Sequence, residues 1–112
     1  MKMICAIIRP HQLERVQKSL ADVGVAGMTA TPVRGAGRQQ GQVERYRGSE
    51  YSIDLIAKMK IEVGVSEDQY PDAVNAILES SRTGEIGDGR IFVYSLSEAF
   101  RIRTGECGEE SL

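Results

Sequence analysis

Apolar and polar positions recur with two different periods along the chain, and each change of period marks a new element. Lys2 to Arg9 (KMICAIIR) is dominated by apolar residues and predicts a strand, which Pro10 ends because it brings no N–H to a ladder. From His11 to Val23 the spacing becomes helical: Leu13, Val16, Leu20 and Val23 fall on one stripe, and Gly24 sits where a left-handed C-terminal cap belongs. Gly27 to Ala36 reads as a second strand on the strength of Thr29, Thr31 and Val33, restricted by Pro32 to an edge or a bulge. Strict alternation returns from Lys58 to Val65, with Met59, Ile61, Val63 and Val65 on one face and Lys58, Lys60 and Glu62 on the other. This third strand is therefore expected to be half buried. Ser66 and Gln69 form a capping-box pair that opens a second helix, whose buried stripe is Tyr70, Ala73, Val74, Ile77 and Leu78. Arg90 to Leu96 (RIFVYSL) is the fourth strand.

The order βαββαβ predicts an α+β fold, a ferredoxin-like sandwich in one domain over residues 1–112. Two helices cover one face of such a sheet. The opposite face needs a partner where its side chains are apolar, so self-association is expected. Charged residues make up 27% of the chain with a net charge of -2, which argues against nucleic acid as a direct partner. The longest apolar run, Ile4 to Ile8, is far below the ~20 residues of a membrane span, and no signal-peptide cleavage pattern is present. A cytoplasmic protein, meeting membrane only through a partner, is the expectation. Cys5 and Cys107 form neither a CxxC pair nor a disulfide framework; Cys5 is expected in the core and Cys107 as an exposed thiol.

Three segments do not read as scaffold. Gly37 to Asp54 is an eighteen-residue stretch with three glycines between strands two and three, far longer than a hairpin needs. Connections of that length are usually functional or disordered, and folded back on itself this one reaches roughly 25 to 30 Å from the body. Glu44, Arg45, Tyr46, Arg47, Glu50 and Tyr51 near its tip suit polar contacts around an aromatic anchor. Thr83 to Arg90 (TGEIGDGR) is a glycine-rich turn that suits an anion, although ordinary helix-to-strand loops are glycine-rich too. Arg101 and Arg103 stand at alternate positions, so an extended chain would present both forks on one side, suited to polyphosphate or merely solvated.

Together these segments resemble the PII signal-transduction family, over Met1 to Glu106. The likeness is carried by Tyr46-Arg47-Gly48-Ser49-Glu50-Tyr51 and by Thr83-Gly84 through Gly87-Asp88-Gly89-Arg90-Ile91-Phe92-Val93. It implies a homotrimer with nucleotide sites between subunits, in which 37–54, 83–90 and 97–112 correspond to the family's T-, B- and C-loop regions. By position, the resemblance implies ATP or ADP contacts at Thr29, Gly37, Arg38, Glu62, Thr83, Gly87, Asp88, Gly89, Arg90, Arg101 and Arg103. It implies 2-oxoglutarate contacts at Gln39, Gly41, Lys58 and Gly87, with Mg held by Gln39 together with the phosphates and the 2-oxo acid. Tyr51 and Ser49 are the implied modification positions, and Glu44, Arg45, Arg47 and Glu50 the implied partner contacts. The implied clients are an ammonium transporter or enzymes and regulators of nitrogen assimilation; a paralogue serving inorganic-carbon uptake is the alternative. Ala36 stands where the family usually has phenylalanine, Arg90 replaces the commoner lysine, and Cys107 to Leu112 follows no assignable pattern.

Other classes find little support. His11 is the only histidine, and no Ser or Cys carries an activating motif, so enzymatic activity on this scaffold is not expected. An RNA-recognition module needs aromatic strand motifs, and aromatic residues are only 5% of this chain.

Overall fold

A computed structural model describes residues 1–36 and 55–112 of the chain. Its elements are β1 (Lys2–Ile8), a 3-10 turn at Pro10–Gln12, α1 (Leu13–Asp22), β2 (Thr29–Gly35), β3 (Ile56–Val65), α2 (Tyr70–Ser81), β4 (Gly89–Ser95) and a second 3-10 turn at Gly108–Ser111. The four strands form one antiparallel sheet in the order β2-β3-β1-β4. This is the ferredoxin-like arrangement expected from the sequence.

Period-2 alternation decides which side of the sheet is dry. Ile4, Ala6 and Ile8 of β1 and Ile61, Val63 and Val65 of β3 point to one face, where Val16 and Leu20 of α1 and Ala73 and Ile77 of α2 close over them. Each large aliphatic group buried there is worth about 1.5–3 kcal/mol. The register places the other set, Met3, Cys5 and Ile7 of β1 beside Arg90, Phe92 and Tyr94 of β4, on the opposite face. Thr29, Thr31 and Val33 of β2 share that face with Lys58, Lys60 and Glu62. Phe92 and Tyr94 are 49% and 50% exposed, so the face is partly apolar and bare within one chain.

Several boundaries and faces differ from expectation. Proline at the first position tightens Pro10–Gln12 into a 3-10 turn, so α1 starts at Leu13 rather than His11. Val23 leaves the stripe because the helix has ended; Val25 is buried in its place, after the chain turns through Gly24 at φ 87°. Leu78 is exposed, and the side of α2 toward the core instead carries Ala76, Ser80 and Ser81. Both serines are satisfied by the helix itself: Ser80 Oγ donates to Ala76 O at 2.7 Å and Ser81 Oγ to Ile77 O at 2.6 Å. Cys5 is not a core residue, since its position in β1 puts it on the open face opposite Glu62 and Phe92. Pro32 lies on the edge strand β2, as its missing donor requires. The capping box forms reciprocally, with Gln69 N–H donating to Ser66 Oγ at 3.1 Å and Ser66 N–H to Gln69 Oε1 at 3.4 Å.

Candidate functional site

The glycine-rich segment between α2 and β4 is shaped by its own side chains. Gly84, Gly87 and Gly89 all take positive φ, near 91°, 105° and 105°. At Gly89 a Cβ would stand 1.8 Å from the Ile7 carbonyl oxygen, so the crossing onto β1 admits no side chain. Asp88 gathers the turn: its carboxylate accepts the N–H of Thr83 at 2.7 Å, the N–H of Gly84 at 2.9 Å and the Thr83 hydroxyl at 2.5 Å. Arg9, at the end of β1, donates from Nε to Asp88 at 3.2 Å and from Nη2 to the Ile86 carbonyl at 3.1 Å. Partial burial works against ionisation of Asp88, but the hydrogen bonds from Thr83, Gly84 and Arg9 outweigh it and hold the carboxyl far below its ordinary 3.8.

Lys58 approaches the same loop from β3. Sequence alternation places it on the side expected to face solvent, yet only 9% of the residue is exposed: its stem runs beside Gly35 of β2 and its ammonium ends on the loop. Its ammonium donates to the Gly87 carbonyl at 2.7 Å. Burial, and secondarily the Arg9 guanidinium, push its pKa below the ordinary lysine range, while Asp88 works against them. Lys58, Gly87, Gly89 and Arg90 line a cleft of about 510 Å³ whose apolar walls are Ile7, Val33, Ala36 and Phe92. Cationic groups, glycine amides and an apolar wall suit a ligand with both anionic and flat apolar parts.

Thr29 and Glu62 face a different, larger cleft of about 1020 Å³, lined also by Glu109, Glu110 and Leu112. Glu62 and Lys58 point to the same face of β3 but are four positions apart, about 13 Å along the strand. The carboxy-terminal region is not extended at the two arginines: residues 101–105 turn, with Gly105 N–H donating to Arg101 O at 2.7 Å. Arg101 and Arg103 therefore do not share one side of a strand. Arg101 instead donates to Glu106 Oε1 at 2.8 Å and to the carbonyls of Glu110 at 3.2 Å and Leu112 at 3.3 Å, and Arg103 is exposed. The tail that follows no sequence pattern thus has a place: it winds as Gly108–Ser111 and lays Leu112 against Gly64, where a Cβ would meet it at 3.2 Å.

The structure therefore gathers Lys58, Gly87, Gly89 and Arg90 at one cleft and Thr29 and Glu62 at another, and uses Thr83 and Asp88 inside the loop. Gly37, Arg38, Gln39, Gly41, Glu44, Arg45, Arg47, Ser49, Glu50 and Tyr51 lie outside the described residues. Among the described residues no three His, Cys, Asp or Glu side chains converge as metal ligands. Sequence reasoning passed over Arg9, read only as the last residue of a strand; its partner Asp88 lies 79 positions away, and nothing local signals the pair.

A family model described as Nitrogen regulatory protein P-II matches residues 1–106. The Nitrogen regulatory protein P-II of Pasteurella multocida (strain Pm70) is 51% identical over 112 residues, which is 100% of both chains. That of Pyropia yezoensis is 52% identical over the same full span. The Nitrogen regulatory protein GlnK of Escherichia coli (strain K12) is 45% identical, again over 100% of both chains.

Proposed function

This chain belongs to the nitrogen regulatory protein P-II family, and on that premise we propose that it is a non-enzymatic signal-transduction regulator that reads ATP against ADP together with 2-oxoglutarate. The observation that carries the reading is the cleft in which Lys58 meets the glycine-rich loop beside Arg90. Glycine amides and the Arg90 fork suit a polyphosphate, and the Lys58 ammonium suits a carboxylate. Gly37, Arg38, Arg101 and Arg103 complete the nucleotide site in this reading, and Gln39 and Gly41 join Lys58 and Gly87 around 2-oxoglutarate. When bound, Mg would be held by Gln39, the phosphates and the 2-oxo acid, and would supply charge neutralisation between the two ligands.

The separation of the two clefts supports a homotrimer. Thr29 and Glu62, on the base side of the nucleotide in this reading, sit about 13 Å along β3 from Lys58. A copy offering its Thr29–Glu62 end to a neighbour's glycine-rich loop would complete a site, and would cover Phe92 and Tyr94 as well. The segment 37–54 is the output device, with Arg38 and Gln39 at its root shared with the ligands, and Tyr51 and Ser49 as the modification positions. Its clients are nitrogen-assimilation enzymes and regulators or an ammonium transporter, met through Glu44, Arg45, Arg47 and Glu50. Deleting Gln42 to Ser52 would then abolish client binding and leave ATP affinity unchanged.

A second reading keeps the adenine nucleotide and changes the client, for example to inorganic-carbon uptake. Its support is that Ala36 and Arg90, two of the three departures from the family pattern, both line the Lys58 cleft. Calorimetric titration with ATP, ADP and AMP, each with and without Mg and 2-oxoglutarate, separates these readings. Tight 2-oxoglutarate binding only with ATP and Mg is the expected result; equal affinity with ADP or with EDTA overturns it.

A further inference from the structure

Four donors converge on one carboxylate. Asp88 Oδ2 takes the N–H groups of Thr83 and Gly84, and Oδ1 takes the Thr83 hydroxyl and Arg9 Nε. With both oxygens engaged and its side chain only 21% exposed, this group is badly placed to meet a phosphate, whose charge has the same sign. The loop it sits in has the opposite need. Gly84, Gly87 and Gly89 all occupy positive φ and give the backbone no stiffness of their own, so a fixed conformation must be imposed by other groups. Arg9 imposes it across the sheet's end, reaching Asp88 with one nitrogen and the Ile86 carbonyl with another.

Resting on the nucleotide reading above, we propose that Asp88, held by Arg9, is a positioning residue of the glycine-rich loop, which presets its amides and Arg90 for a polyphosphate before the nucleotide arrives. A preset loop loses less freedom on binding, so affinity for the phosphate chain, and not for the base, depends on it. Thr83 acts in the same way, as part of the tie.

Two measurements on the full chain test this: amide exchange by NMR without ligand, and calorimetric affinities for ATP and AMP. In Asp88→Ala the Thr83 and Gly84 amides lose protection while those of β1 and β3 keep theirs. ATP affinity falls roughly ten- to a hundredfold and AMP affinity less than about threefold. Asp88→Asn, which keeps one acceptor oxygen, falls between Asp88→Ala and the parent. Arg9→Lys, which keeps the charge but not the fork, weakens ATP in the same selective way; these two variants carry the comparison if Asp88→Ala fails to fold. Equal loss of ATP and AMP affinity would overturn the proposal in favour of a purely structural role. Weakened ATP with Thr83 and Gly84 protection intact would also overturn it, because Asp88 would then be touching the ligand. A parent chain that binds neither nucleotide defeats the nucleotide reading and the phosphate role with it, whereas the exchange data alone still decide whether Asp88 fixes the loop.

Discussion

The Lys58 ammonium donates a 2.7 Å hydrogen bond to the carbonyl of Gly87, joining the start of β3 to the glycine-rich loop. A single cation thereby sits between the surface proposed for a carboxylate and the turn proposed for phosphates, touching the turn through a neutral acceptor only.

Lys58→Ala is expected to remove 2-oxoglutarate affinity, by about tenfold or more, because it deletes the carboxylate's charge partner. ATP affinity should change by no more than about threefold, since the Gly87 carbonyl can take water in place of the ammonium. Calorimetry of both ligands checks this, and a parallel fall of the two would assign Lys58 to the phosphate side.

Gly89→Ala is expected to destabilise the fold by about 3 kcal/mol or more, lowering Tm by about 10 °C or more. The new Cβ would lie 1.8 Å from the Ile7 oxygen at a φ of 105°, and the obstacle is backbone, which cannot step aside. A melting curve within about 2 °C of the parent would show that β1 and the loop do not pack this closely. Gly84→Ala, at positive φ but with open space around its Cβ, should cost less.

Acid should act on the loop through Asp88. Its folded-state carboxyl is a much stronger acid than the ordinary 3.8, so below that value the unfolded chain binds the extra proton first. The stabilisation is thus complete above about pH 5 and is lost as pH falls through 3.8 toward the folded-state pKa. Urea midpoints of the parent and Asp88→Asn should differ by a constant amount from pH 8 to about 5 and converge below about 4. Arg9 and Lys58 are the cations facing this group from β1 and β3. A gap that widens in acid would contradict the assignment.

Phe92→Asp should dissociate the proposed trimer without unfolding the chain, because Phe92 is 49% exposed in one copy and lies on the sheet face away from both helices. Sedimentation at micromolar concentration and far-UV circular dichroism check the two halves of that statement. An unchanged sedimentation coefficient would move the subunit contact off this face.

The scaffold was readable in the sequence because its signals are local. Alternation from Met59 to Val65 and the Ser66–Gln69 pair each declare themselves within a few residues, and the sheet follows from their order. What escaped is non-local. The Lys58 ammonium finds its acceptor in a loop 29 positions later, so alternation assigned it to solvent. Arg101 is turned by Glu106 and by carbonyls of the final residues, none of which a spacing rule can anticipate. The Arg9–Asp88 tie is the same kind of omission: two ordinary charged residues acquire a joint task only when β1 and β4 lie side by side.

Pro32 has a further consequence for how the molecule survives crowded solution. It stands in β2, the outermost strand on its side of the sheet, where an unbroken row of outward N–H and C=O groups would template the edge of another chain. A proline keeps its place in a ladder only where its nitrogen points away from the neighbouring strand, so here the missing donor interrupts the outward row. Fibrous stacking through β2 is thereby discouraged, and Pro32→Val, which restores the donor and strand propensity together, would trade a slightly better strand for a stickier one.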